Sequence, residues 1–107
     1  MVIMRGVDFG NPMPMDGEIP PSPGLYMVCT ESSGGIRVIG VYAAENIRES
    51  FMTNEYRDSW SDYEDSGLFL YVSVLDENIE TLDAKCIDII DTRFYTTPCS
   101  KIPGDDW

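Results

Sequence analysis

The chain has 107 residues, 43% of them apolar, and 19 acids against 7 bases give it a net charge of −12. That length suits one domain with a core of its own, since a domain of this size buries roughly two thirds of the surface its unfolded chain exposes. The charge repels phosphate backbones and anionic membranes, which argues against direct nucleic-acid binding and favours a protein partner with a basic surface.

Residues 1–9 read as a short strand anchored by Val7 and Phe9. Residues 10–23 read as an irregular connection, because their prolines block regular hydrogen bonding. Leu25 to Cys29 and Ile36 to Tyr42 are β-prone runs around Ser32-Ser33-Gly34-Gly35, which predicts a hairpin. Residues 43–52 predict a short helix with Ala44, Ile47 and Phe51 on its apolar face and Glu45 and Glu49 in water. Residues 53–67 are polar and punctuated. Leu68 to Leu75 is apolar at almost every position, the pattern of a central strand. Residues 76–91 predict the longer helix, with Asp76 as N-cap, Glu77 and Glu80 at the positive end of the dipole, and Ile79, Leu82, Cys86, Ile87 and Ile90 as its stripe. Phe94-Tyr95 suggests an edge strand, and Pro98 onward a tail.

The expected fold is α+β, a small, mostly antiparallel sheet of three to four strands with two helices packed on it, in the order (β)-β-β-α-β-α. One domain is expected over 1–107, with an N-terminal strand and proline-rich connection at 1–23, the core at 24–95 and a tail at 96–107. No apolar run approaches the ~18 residues of a membrane span. The first residues lack the basic and apolar regions of a signal peptide, so the expected location is the cytoplasm.

The chemistry is bounded by what the chain lacks. Cys29, Cys86 and Cys99 are odd in number and widely spaced, and there is no histidine. Buried free thiols are the expectation, with no metal and no cofactor. Without histidine, Ser–His and Cys–His nucleophile systems are excluded. No glycine-rich loop followed by Lys-Ser/Thr is present to cradle phosphate. Asp62 to Gly67 begins like a calcium loop, but the twelfth position is Ser73 where an EF-hand needs a bidentate Glu.

One motif pair carries more. Pro23-Gly24-Leu25-Tyr26 opens the first hairpin strand, and Val38-Ile39-Gly40 follows with eleven residues between Tyr26 and Val38. A helix carrying Asn46-Ile47-Arg48 comes next. Together these resemble the GIY-YIG nuclease domain, over about residues 20–101. The resemblance implies two cooperating tyrosines, a helix arginine, a metal-binding glutamate and a late asparagine. Tyr26 matches the first tyrosine, whereas Val38 stands at the second and has no hydroxyl. An ungapped alignment on Asn46-Ile47 puts Gly40 on that tyrosine and Ser50 on the arginine, with Arg48 nearby. The glutamate falls near Asp83 or Lys85, and the asparagine near Lys101. A divergent metal-dependent nuclease would therefore use Tyr26, Arg48 and Asp83. Losing one charge-stabilising element of such a site costs ~100- to 1,000-fold, and several are missing.

Two acidic groups point elsewhere. Between Glu55 and Asp65, acids alternate with aromatics, and Tyr56, Trp60, Asp62, Tyr63, Glu64 and Asp65 are the candidate partner-binding residues. Aromatics anchor interfaces and acids steer a basic partner. Alternatively, Trp60 and Tyr63 fold back over the core. Asp76, Glu77, Glu80, Asp83 and Asp88, with Glu45, Glu49, Asp62, Glu64 and Asp65, could imitate a row of phosphates or serve as ordinary helix-surface charge. The leading expectation is a non-catalytic, acidic protein-interaction domain, in its finer version one that occupies a partner's nucleic-acid site. The alternatives are the divergent nuclease and a small structural or assembly protein.

Overall fold

Alternation along one strand sets the architecture. In the computed structural model, which describes residues 2–4, 6–32 and 35–92, Leu25, Met27 and Cys29 join one apolar cluster, while Tyr26 and Val28 join another on the opposite face. All five are fully buried. A strand covered on both faces needs a continuous apolar run, and Leu25 to Cys29 is one.

The chain forms β1 (Val2–Met4), β2 (Val7–Gly10), β3 (Met13–Pro14), β4 (Gly24–Ser32), β5 (Gly35–Ala44), α1 (Ile47–Thr53), a 3-10 helix (Arg57–Tyr63), β6 (Leu68–Val74) and α2 (Ile79–Thr92). The main sheet is antiparallel in the order β3-β6-β4-β5, and β1 and β2 pair separately. The α+β class expected from the sequence is the one that forms. Leu82, Cys86, Ile89 and Ile90 of α2 cover one face of the sheet together with Val7 and Phe9. Ile47 and Phe51 of α1, Trp60 and Ile19 cover the other.

Several local expectations are corrected. Residues 1–9 turn back on themselves at Gly6, whose φ of 81° suits glycine, and give two strands instead of one. Val7 and Phe9 are buried, as expected of the segment's anchors, and Ile19 of the connection is buried with them. Ala44 ends β5 and does not join the helix, which starts three residues later. The longer helix starts at Ile79, capped by Asn78, whose Oδ1 accepts from Thr81 N at 2.9 Å; Asp76 lies before it. Ile89 is buried and Ile87 only half-buried. The edge strand at Phe94-Tyr95 and the tail lie outside the described residues.

The proline-rich connection has a specific use. The first N–H groups of a helix have no partner within it. Here Ile47 N donates to Ser22 O (2.9 Å), Arg48 N to Pro20 O (3.3 Å) and Glu49 N to Asn46 Oδ1 (3.0 Å). Leu75 N donates to Pro23 O at 2.9 Å. The segment thus supplies carbonyls where α1 and the end of β6 need acceptors.

Candidate functional site

A β-bulge positions the hydroxyl-bearing side chains. Val28 pairs with Gly40 and Cys29 with Val38, which leaves Ile39 as an extra residue in β5. The bulge shifts the alternation, so Val38 shares the α2 face with Val41, three residues on, while Tyr42 lies on the α1 face. It also brings Tyr42 directly opposite Tyr26, with ring centroids 5.0 Å apart. The tyrosine beside Tyr26 is thus Tyr42, and Val38, the motif position, is on the other side of the sheet.

Tyr26 is fully buried and its hydroxyl is engaged twice. Asn54 Nδ2 donates to it at 2.9 Å, and Ser50 Oγ lies 2.8 Å away. Asn54 is itself oriented, because its Oδ1 accepts from Tyr56 N at 2.8 Å. Trp60 Nε1 donates to the Tyr42 hydroxyl at 3.0 Å. Burial raises the Tyr26 phenol above its ordinary value, against the lowering effect of the hydrogen bonds with Ser50 and Asn54. The phenol therefore stays protonated near neutrality and is poorly suited to act as a base. Above the cluster, Tyr42, Ser50, Thr53, Asn54, Glu55 and Tyr56 line an open recess of about 320 Å³.

The other two residues of the nuclease set lie elsewhere. Arg48 donates Nε to Ile19 O at 2.8 Å. It is two residues from Ser50, about 200° around α1 at 3.6 residues per turn, so it points away from Tyr26. Asp83 is on α2, across the sheet. Burial, and secondarily Glu80, raise its carboxyl above the usual value. Tyr26, Arg48 and Asp83 share no cleft. Of the two alignments on the arginine, the position that meets Tyr26 is Ser50. Among the described residues no three His, Cys, Asp or Glu side chains converge as a metal site requires.

The motif glycines have packing roles. A Cβ on Gly24, whose φ is 156°, would collide with Ser73 O across the β4–β6 ladder. A Cβ on Gly40 would collide with the Tyr42 hydroxyl and sit 2.7 Å from its Cζ. Gly40 is where the Tyr42 ring lies down along its own strand.

The acidic-aromatic segment divides in two. Trp60 is buried, stacked 5.4 Å from Phe51, because an indole in the core with its N–H satisfied is more stable than one in water. It is a core anchor, as in the alternative that folds it back over the core, and not a surface anchor for a partner. Tyr56 and Tyr63 are half-buried, while Asp58, Asp62, Glu64 and Asp65 are exposed. Both ends of the segment are tied down. Arg57 Nη1 donates to Phe51 O at 2.9 Å, Asp65 N donates to Thr30 Oγ1 at 2.9 Å, and Thr30 Oγ1 donates to Gly67 O at 2.7 Å.

Comparison of the chain with protein-family models, curated proteins and solved structures gives no match.

Proposed function

We propose that this domain is a non-catalytic, acidic protein-interaction module that presents residues 56–65 to a partner with a basic surface. One observation carries the reading. Trp60 is bolted to the core through Tyr42 and Phe51, so the 3-10 helix holds Asp58 and Asp62 on a fixed frame, beside Glu64, Asp65 and the half-exposed Tyr56 and Tyr63. A rigid frame lowers the ordering cost of binding, and the acids steer a basic partner. The buried, doubly hydrogen-bonded Tyr26 and its separation from Arg48 and Asp83 favour this reading over a divergent nuclease. The finer version has the acidic face occupying a partner's nucleic-acid site.

The test is capture from host extract on immobilised wild type and on the Asp58→Lys/Asp62→Lys/Glu64→Lys variant, with circular dichroism to verify folding. A protein retained by wild type, released by salt and lost from the variant is expected. Retention unchanged by the charge reversal would refute the assigned face. Metal-dependent cleavage of plasmid DNA by wild type, abolished in Tyr26→Phe, would replace the reading with the nuclease one. For the finer version, the captured partner should lose nucleic-acid binding when the domain is added.

A further inference from the structure

The described residues include four cationic side chains, Arg37, Arg48, Arg57 and Lys85, and two of them line one groove. It lies between the 15–19 turn and the side of α1 that carries Arg48 and Met52. Its volume is about 560 Å³, within the range of small-molecule sites. Met15 supplies apolar surface over a floor of the buried Ile19 and Phe51, and Met52 is 59% exposed at the edge. Methionine adapts to apolar guests of varied shape.

Both guanidinium groups are held in place without a ligand. Arg48 spends Nε on Ile19 O, which leaves its two terminal nitrogens for a guest. Arg57 donates Nη1 to Phe51 O and stacks 4.6 Å above the Phe51 ring. Neither is ion-paired with a carboxylate among the described residues, although acids dominate the surface; Lys85 by contrast lies 3.8 Å from Glu77. A planar fork fixed beforehand suits the two oxygens of a carboxylate. Asp16 and Glu18 also line the groove. With the two guanidinium groups they make the groove neutral overall, which disfavours a dianion or polyanion; a single carboxylate gains from the directed hydrogen bonds of the two forks.

We propose that this groove binds an apolar monocarboxylate, with its carboxylate on Arg48 and Arg57 and its hydrocarbon body against Met15 and Met52. The test is titration of the full chain, labelled at methionine methyls and backbone amides, with octanoate, and in parallel with octanol, acetate and inorganic phosphate. Saturable shifts of the Met15 and Met52 methyls with octanoate are expected, with affinity at least ten-fold above each of the other three probes. Arg48→Gln should weaken octanoate at least ten-fold while the remaining spectrum stays native. Met52→Asp, at an exposed position, should do the same and decides the matter if Arg48→Gln does not fold. The proposal is overturned if octanoate gives no saturable shift, if octanol, acetate or phosphate binds within ten-fold of it, or if the folded variants bind it unchanged.

Discussion

Gly40→Ala isolates one steric contact. Gly40 is outside the left-handed region, so its backbone accepts alanine, and the three atoms nearest an added Cβ all belong to Tyr42. Cζ and Cε2 of that ring would lie 2.7 and 2.9 Å from it. The ring must therefore move, and its hydroxyl leaves Trp60 Nε1, which now donates across 3.0 Å. Overpacking costs about 1–3 kcal/mol and a lost hydrogen bond about 1 kcal/mol, so Gly40→Ala should destabilise by about 2–4 kcal/mol. In a Tyr42→Ala background the obstacle is gone. There the substitution should be neutral, or stabilising by up to about 1 kcal/mol as alanine restricts the unfolded chain. Urea unfolding of the four chains measures the coupling, which should exceed about 2 kcal/mol. Additive effects would refute the assignment of Gly40 to the Tyr42 ring.

Two further substitutions probe the buried hydroxyl and thiol groups. Tyr26→Phe strands Asn54 Nδ2 and Ser50 Oγ beneath an open recess and should cost about 1–2 kcal/mol, read as a lower urea midpoint; no loss would mean that water already serves those groups. Cys86 donates to Val41 O at 3.5 Å, and burial, then Asp83, push its thiol up to about 12 from an ordinary value near 9. A raised acid is neutral in the fold and ionises first in the unfolded chain. Its stabilising contribution is complete below pH 9 and is lost as the pH rises towards 12. Urea midpoints should therefore fall across that window, less steeply in Cys86→Ala, and in a Cys99→Ser chain a maleimide at pH 8 should label neither Cys29 nor Cys86 until urea is added.

Much of the scaffold was legible because it rests on short-range periodicity. The α2 stripe announces a period of 3.6, the hairpin and β6 runs are short and apolar throughout with turn residues beside them, and all these apolar residues must be buried somewhere. Ends were less legible. Asp76 and Asn78 are both good caps, and the choice fell to Asn78, whose side chain reaches Thr81 N. Ala44 suits a helix by propensity, but its pairing with Gly24 extends the strand through it.

By itself the sequence determined an acidic chain with enough apolar surface for one α+β core, and it excluded every histidine-dependent catalyst. The tertiary structure alone decided which hydroxyls meet. A single extra residue at Ile39 reverses the parity of β5, and parity assigns Val38 to one face and Tyr42 to the other. It also decided that Trp60 is core and its acidic neighbours are surface. In a polar, aromatic-rich loop no period exists to read, and which ring is buried depends on the space left by Phe51 and Tyr42.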